Sequence, residues 1–514
     1  MRLKTACLLA ALILLVGMVP LAALSEGGSA NEGADAKTGF TIMGFEPDSL
    51  RRWDGHAFFQ TMAEATGVSI ASFRQYSDMD AYSAAKTQAF QTGNLPDAFF
   101  KAALTAREEM EYAQSGQLIN LAPLIPLYAP TINQILEARA DWREEITQPG
   151  GVISSLPALS AYERQAYIWI NRDWLTNVGK EMPTDAASLA DVLAAFKTGD
   201  PNMNGKADEI PLSFIGPWEA KFFLHAFGLA PNDYNIYEKD GTVRFAPFEP
   251  QYLEFVDWLR ALAADGLLDK NAFRQSQSQR QTLISEQKLA TIGCFVSVAP
   301  YTLVKAELAE QYALLPPLPY NNAAVYRRLL PSVSHGAFAI TSACRDVPAM
   351  LKWIDYLYTE QGGRLAAAGV EGVDYGFDGD GKWEWIIGDM NSIDVILRDR
   401  VMDTDSVTPG LEPADFQRRT KLALEARVRR EGDAIRNTLV TPYPFTWPAD
   451  AQVEDRIAEL QSRLGPMVDA GVARFITGEM ELSDQSWAAF LAELRENGAD
   501  ELVRLFQSKL KERE

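Results

Sequence analysis

The segment Asp200–Pro211 alternates oxygen-bearing side chains at a spacing that suits a metal ion. Gly205 stands in its middle, where the chain must turn sharply, and two carboxylates follow the turn. A calcium ion takes six to eight oxygen ligands, and a loop of this spacing closes such a shell. The predicted calcium ligands are Asp200, Asn202, Asn204, the backbone carbonyl of Lys206, Asp208 and Glu209.

This loop departs from an EF-hand loop at its twelfth position, where Pro211 replaces the bidentate glutamate. Glu209 must then supply that carboxylate, and we do not expect the loop to lie between two opening helices as a sensor. Its three carboxylates bring three negative charges to one Ca²⁺, which favours a structural site. The alternative interpretation is a solvated turn, because Asn, Asp and Gly form such turns without metal.

The first residues of the chain have the pattern of a secretory signal. A short basic segment precedes an apolar run over 6–24, and small residues before and at Ser25 suit cleavage after that residue. Residues 26–39 then form a flexible tether. Met18 occupies the place of a lipidated cysteine, so the sequence does not support a lipid anchor. We expect a secreted protein, extracellular or associated with the cell envelope; the alternative is a retained membrane anchor.

Charge and cysteine content narrow the class of partner. The formal net charge is −21, which disfavours nucleic acid and anionic lipid. Beyond Cys7 in the signal, Cys294 and Cys344 are too few for a disulfide framework. Cys294 lies in an apolar run and is expected to be a buried thiol; a Cys294–Cys344 disulfide is the alternative.

Strands and helices alternate from residue 40 onward, which predicts an α/β fold with a parallel sheet covered on both faces. In such sheets ligands bind beyond the carboxyl ends of the strands. About 475 residues follow the tether, too many for one core, so two lobes are expected. The predicted elements include strands over 40–44, 68–73, 95–100 and 165–170, helices over 57–66, 81–91, 185–197 and 348–359, a hairpin over 236–245, and a helical C-terminal region from Val453.

Several short segments in fixed order resemble family 1 extracellular solute-binding proteins, the oligosaccharide-binding components of ABC importers. With the metal loop, they are most similar to the calcium-loop subgroup that includes alginate-binding proteins. These segments are Thr92–Asp97, Gly116–Leu121, Tyr128–Pro130, Tyr167–Leu175, the calcium loop through Ser213, Asp265–Asp269, Gly369–Tyr375 and Phe475–Gly478.

The resemblance implies a two-lobed Venus-flytrap fold that closes on a sugar and presents it to a membrane permease. It places residues 40–160 and 336–369 in the first lobe, and 161–335 and 370–514 in the second, which would hold the calcium loop. It also implies a monomer with no enzymatic activity. The family's metal ligands carry over to all six predicted calcium ligands.

A sugar offers apolar C–H faces and a rim of hydroxyls, so its site needs flat aromatic rings and nearby polar groups. We expect the aromatics in predicted loops to supply the rings, although packing is the alternative for each. These candidates are Trp53, Trp218, Tyr301, Tyr375 and Trp447, with Asp97 as the polar candidate. Trp258 and Trp353 lie on helical patterns and are assigned to the core. Arg327 and Arg328 could receive an acidic sugar or could be solvated surface.

Two other classes of function stay open at this stage. A secreted glycosidase or lyase needs only a pair of carboxylates, which 69 Asp and Glu residues cannot exclude. The sequence has no Gly-x-Ser-x-Gly motif and no phosphate loop, and its histidines, at 56, 225 and 335, are scattered. A peptide- or lipid-binding protein of the same fold is the third alternative. We expect binding without turnover.

Overall fold

The computed structural model describes residues 39–160, 165–285, 287–329, 332–387, 393–402, 408–412, 416, 419–448 and 450–513. All of these belong to one unit that begins at Gly39. The predicted signal and all but the last residue of the predicted tether lie outside the described residues. None of the described helices has the length and apolar character that crossing a bilayer requires.

The strands divide between two larger sheets and three short pairs. In chain order they are β1 Phe40–Phe45, β2 Ile70–Tyr76, β3 Ala98–Phe100, β4 Leu156–Ser160, β5 Tyr167–Asn171, β6 Ile210–Ser213, β7 Ile236–Lys239, β8 Thr242–Phe245, β9 Ile292–Ser297, β10 Tyr312–Leu314, β11 Tyr326–Arg327, β12 Val333–Ile340, β13 Tyr375–Phe377, β14 Trp383–Trp385, β15 Gly410–Glu412 and β16 Leu439–Val440. The predicted hairpin is confirmed as β7 and β8.

The α-helices cover the sheets and form the C-terminal region. They are Ala57–Thr66, Met79–Thr92, Ala106–Gln114, Ile125–Tyr128, Pro130–Ala138, Ala140–Ile146, Arg172–Asn177, Ala186–Thr198, Gly216–Ala220, Pro250–Ala264, Gln277–Ser285, Ala306–Ala309, Val347–Asp355, Glu360–Ala368, Ile393–Asp399, Ala423–Ala434, Ala451–Ile476, Asp484–Glu496 and Ala499–Arg513. Short 3₁₀ helices over 221–227, 246–248, 300–302, 356–358 and 436–438 connect some of them.

The first sheet has six strands in the order β15-β4-β12-β3-β1-β2, with β1 parallel to both β2 and β3. Successive side chains of a strand point to opposite faces. Ile42 accordingly packs in one core with Trp353, while its neighbour Met43 packs in another with Tyr82 and Phe90. Both faces of this sheet are therefore covered, as predicted. The sheet is mixed rather than parallel, however, because β12 runs antiparallel to β3 and β4.

The second sheet has four strands in the order β10-β5-β9-β6 and a separate, larger core. The three long C-terminal helices contribute Leu464, Trp487 and Leu502 to this core. Trp258 packs against the same core, and its indole nitrogen donates to the Ala186 carbonyl at 3.1 Å. The apolar residues of the two larger sheets thus pack in separate cores.

The cysteines are both free, and Cys294 is buried in β9. Burial raises the pKa of the Cys294 thiol. The buried-thiol prediction is therefore confirmed, and the alternative Cys294–Cys344 disulfide is absent from the structure.

One segment lies on a different sheet from the one expected. β15 pairs with β4 in the first sheet, and Met402 and Leu411 pack against the first sheet's core. The predicted second lobe, in contrast, took in all residues after 369. The reason is that β15 pairs with the otherwise unpaired edge of β4, a long-range contact that no local pattern specifies.

A substitution at Gly44 tests how closely β1 packs against β3. A Cβ atom at Gly44 would lie 1.7 Å from the Phe100 carbonyl oxygen, a backbone atom that cannot move aside without distorting the sheet. We expect Gly44→Ala to lower the free energy of unfolding by about 3 kcal/mol. The exposed Gly379, where a Cβ would meet no atom within 4 Å, supplies the control Gly379→Ala. Equal denaturant midpoints for the two variants would contradict this packing.

Candidate functional site

A cavity of about 550 Å³ opens between elements of the first sheet and segments next to the short β11–β16 pair. One wall consists of residues from the helix Ala140–Ile146 and the start of β12. The opposite wall consists of Asn232, Asp233, β11 with the residues that follow it, and residues 441–445. A molecule held in this cavity would touch both halves of the fold.

The cavity also lies where the chain passes from the β11–β16 pair to the first sheet. Leu329 and Ser332 line it, and the two residues between them connect β11 to β12 of the first sheet. A second connection, from β4 to β5, runs through residues 161–164. Residues 161–164 and 330–331 lie outside the described residues.

His335 of β12 makes an aromatic contact across the cavity. Its ring stacks on Phe445 with 3.9 Å between ring centroids and 19° between ring planes. Trp447 stands perpendicular to both rings, at 5.4 Å from His335 and 5.2 Å from Phe445. The Trp447 indole nitrogen is buried with no hydrogen-bond partner among the described residues. The cluster joins a strand of the first sheet to the chain that follows β16.

Two carboxylates flank the His335 ring. Its Nδ1 lies 3.9 Å from Glu109 Oε1, and its Nε2 lies 3.5 Å from Glu145 Oε1. Glu109 is fully buried, and Ser155 Oγ donates to its other oxygen at 2.5 Å. Burial raises the pKa of Glu109 to about 7, while the nearby His335 opposes this shift. This buried carboxyl therefore titrates close to neutral pH.

Arg327 lies on the opposite wall, where β11 ends. Its Nη2 donates to Asp233 Oδ1 at 2.5 Å, and its guanidinium lies 5.6 Å from the centre of the Phe222 ring. Arg327 is 5% exposed, and its Nε and Nη1 are buried with no hydrogen-bond partner among the described residues. Buried N–H donors without acceptors are costly, so the wall favours a ligand or water that supplies oxygen atoms.

Two further residues hold this wall in position. The Lys221 ammonium donates to the Asp233 carbonyl at 2.9 Å and lies 3.1 Å from the Asp469 carboxylate. Burial lowers the pKa of Lys221, while Asp469 opposes that shift. Gln165 donates to the Arg327 carbonyl and accepts from the Leu329 amide at 2.6 Å. Gln165, just before β5, thus fixes the backbone next to Arg327, and Lys221, paired with the helix Ala451–Ile476, fixes the backbone of its partner Asp233.

The predicted sugar-binding residues do not converge on one place. Trp447 belongs to the aromatic cluster beside the cavity. Trp218 and Tyr301 are partly exposed, at 41% and 39%. The Trp218 ring contacts Phe222, and Phe222 contacts Arg327. The Phe222 side chain thus lies between Trp218 and the Arg327 wall of the cavity.

Trp53, Tyr375 and Asp97 have packing or hydrogen-bonding roles in this structure. Trp53 is completely buried among Phe59, Phe73 and Phe100. Tyr375 is 2% exposed and packs on Phe416. Asp97 accepts a hydrogen bond from the Thr41 amide at 2.8 Å. Trp53 and Tyr375 were expected in loops. Their rings are nevertheless buried, because neighbouring aromatic side chains cover them.

The predicted calcium loop turns back on itself through hydrogen bonds of its own side chains. The Asp200 carboxylate accepts from the Asn204 and Gly205 amides at 3.0 and 2.9 Å. Asp200 and Gly205 both have positive φ, at 44° and 71°, the left-handed backbone that a sharp turn requires. Asp208 accepts from the Asn204 side-chain amide at 3.0 Å.

The loop's donor set fits a hard cation. Glu209 Oε1 is buried with no hydrogen-bond partner among the described residues. Burial and the negative charges of Asp208 and Asp200 raise the pKa of Glu209. No three His, Cys, Asp or Glu side chains converge to hold a metal within the described part of the chain. Asparagine and backbone oxygens must therefore complete any shell here.

The sequence analysis named Trp447 as a candidate and left the role of Arg327 open, but it did not single out His335 or Phe445. Tyr443, Phe445 and Trp447 alternate along the chain, and such a period of two places rings on one side of an extended segment. That alternation could have indicated Phe445 as part of the site. No local sequence pattern indicates His335, because its position depends on the pairing of β12 with distant strands.

No protein-family model matches this chain. Over 313 residues it is 32% identical to the fructooligosaccharide ABC transporter substrate-binding protein FusA of Streptococcus pneumoniae serotype 4 (strain ATCC BAA-334 / TIGR4). That alignment covers 58% of this chain and 57% of FusA. The chain therefore aligns with little more than half the length of this curated relative.

Solved structures match over nearly the whole chain. FusA in complex with kestose superposes with a TM-score of 0.70 at 24% identity, covering 92% of this chain and 99% of that one. An HMO-binding ABC-transporter-associated solute-binding protein from Bifidobacterium longum infantis ATCC 15697 gives 0.77 at 18% identity, covering 93% and 99%. The alginate-binding protein AlgQ2 without calcium ion gives 0.62 at 17% identity, covering 92% and 97%. The predicted two-lobed α/β fold is confirmed.

The Glu109 carboxyl makes a testable contribution to the pH dependence of the free energy of unfolding. Its native pKa of about 7 exceeds the ordinary value of 4.5, so between these pH values the folded protein holds a proton that the unfolded chain has lost. Its contribution to the free energy of unfolding therefore falls as pH rises through this window, by up to about 3 kcal/mol.

We expect Glu109→Gln to remove this part of the pH dependence, because glutamine resembles the protonated acid. Denaturant unfolding at pH 5 and pH 7.5 would measure the difference. The control is Glu111→Gln, an exposed carboxylate on the same helix. Identical pH profiles for wild type and Glu109→Gln would contradict the raised pKa.

Proposed function

We propose that this protein is an extracellular solute-binding protein that captures an oligosaccharide between its two lobes and delivers it to an ABC importer permease. The observation that carries the proposal is the cavity between the first sheet and the segments next to the β11–β16 pair. One wall presents His335, and the other presents Arg327 and Phe445, whose ring stacks on His335.

The chemistry of these walls suits a sugar. Aromatic rings pack against the C–H faces of a pyranose or furanose, and hydroxyl and ring oxygens accept hydrogen bonds. The buried nitrogens of Arg327 and Trp447 lack acceptors among the described residues. The oxygen atoms of an oligosaccharide could supply these acceptors at intervals along its length.

The name of the relative supports the same substrate class. FusA is a fructooligosaccharide substrate-binding protein, and its solved structure holds kestose. We extend the class of ligand, an oligosaccharide, to this chain. Because only about half of FusA is aligned in sequence, the linkage and length of the sugar are not carried over.

Closure is the proposed mechanism. The sugar docks on one wall, the other wall moves onto it, and the permease recognises the closed form. We keep the lobe boundaries of residues 160 and 336 in this proposal but assign β15 to the first lobe, because it pairs with β4.

We also propose that the loop 200–211 binds one structural Ca²⁺ through the six predicted ligands. The ion would neutralise Asp200, Asp208 and Glu209 and fix the loop against β6, which begins directly after it. The unpaired buried oxygen of Glu209 supports this. One solved structure is described as an EF-hand mutant of FusA, which is consistent with a metal loop in a protein of this fold.

Ligand binding without turnover is the first prediction of this function. A ligand at a hundred times its dissociation constant stabilises by about 2.7 kcal/mol, which raises the melting temperature by roughly 2–4 °C. We expect such a shift with an oligosaccharide recovered intact. Phe445→Ala should abolish the shift, whereas Tyr128→Ala, at an exposed ring outside the cavity, should not.

Product analysis separates the alternatives. Cleavage of the sugar would make the protein an enzyme, and shifts with peptides or lipids alone would change the class of ligand. Either result would contradict the proposal.

Calcium binding predicts a chelator effect on stability. We expect EGTA to lower the melting temperature by roughly 2–4 °C, and Asp200→Ala to lower it equally and to abolish the effect of EGTA. Asp257→Ala, at an exposed helical aspartate, should keep the wild-type response. A wild-type melt that is insensitive to EGTA, with no calcium found by elemental analysis, would refute the metal site.

A further inference from the structure

The Arg327 side chain has one edge occupied and one edge without partners. Asp233 accepts a hydrogen bond from Nη2, and the Phe222 ring packs against the guanidinium. Nε and Nη1 find no acceptor among the described residues. The positive charge is thus already balanced, while hydrogen-bonding capacity remains.

The charges around the whole cavity are also balanced. Three arginines and three carboxylates line it. Arg139 forms a two-pronged pair with Asp141, with nitrogen–oxygen distances of 2.9 and 2.6 Å. The cavity therefore offers no net positive charge to compensate an anionic ligand.

The electrostatic field of the whole protein also disfavours an anionic ligand. The chain carries a formal net charge of −21. A ligand with a carboxylate on each sugar unit would approach against that field, and its approach would depend strongly on salt. A neutral ligand meets no such barrier.

We propose that the ligand is an uncharged oligosaccharide, and that the Arg327–Asp233 pair sets this specificity. The inference rests on the proposed oligosaccharide-binding function and names the class of sugar. Arg327 orients the ligand by donating from Nε and Nη1 to hydroxyl or ring oxygens. Asp233 keeps the guanidinium neutralised, so that a uronate gains no ion pair in return for its lost hydration.

The wild-type test uses neutral fructo- and malto-oligosaccharides and acidic alginate and galacturonate oligosaccharides, with calorimetry at 50 and 500 mM NaCl. We expect a neutral sugar to bind with an affinity that changes less than about twofold between these salt concentrations. Tighter binding of an acidic sugar would overturn the inference but keep the proposed function. Binding of no sugar in either group would overturn both.

The variant test removes the neutralising charge. Asp233→Asn should improve the affinity for acidic oligosaccharides about tenfold or more, because a guanidinium without its carboxylate partner favours a carboxylate ligand. The affinity for neutral sugars should change less than about threefold. An unchanged preference in folded Asp233→Asn would overturn the role of the pair. If this variant does not fold, the wild-type preference and its salt dependence decide the inference.

Arg327→Lys separates charge from donor geometry. Lysine keeps the charge beside Asp233 but lacks the guanidinium fork, so the affinity for the neutral sugar should fall about tenfold. The control Arg260→Lys changes a half-exposed arginine on the second core's helix and should bind as wild type does. Wild-type affinity in folded Arg327→Lys would contradict the orienting role.

Discussion

The constraint on which the rest of the structure depends is that the apolar residues of its two larger sheets pack in separate cores. Two cores cover the two faces of the six-stranded sheet, and a third unites the four-stranded sheet with the C-terminal helices. Each core buries its own apolar residues, so the surfaces between the sheets need not be apolar. Polar and charged side chains can therefore line the cavity.

The contact between His335 and Phe445 joins these two parts at the cavity. It is a single stacked pair, with Trp447 at its edge and two carboxylates beside the imidazole. Such a contact is small compared with either core, so its loss would not unfold either part. Closure of the fold around a ligand and exchange of the ligand both require such a separable contact.

Local patterns specified most of the fold. The strand β1, the hairpin β7–β8 and the period of the helix Ala451–Ile476 are all visible in the sequence. The predicted calcium ligands could be named as a set because all of them lie within one short segment. The cavity could not, since it assembles His335, Asp233 and Phe445 from distant segments. The burial of Trp53 in its loop could not be predicted either, because its aromatic neighbours Phe73 and Phe100 come from β2 and β3.

The most direct measurement is a crystal structure of the protein with the neutral oligosaccharide that raises its melting temperature most. The account predicts sugar density in the cavity, with rings against the Phe445 side and a sugar oxygen within about 3 Å of Arg327 Nε or Nη1. Both sheets' residues would then contact the same molecule. A sugar bound elsewhere, or one held by a single wall in a fully closed protein, would contradict it.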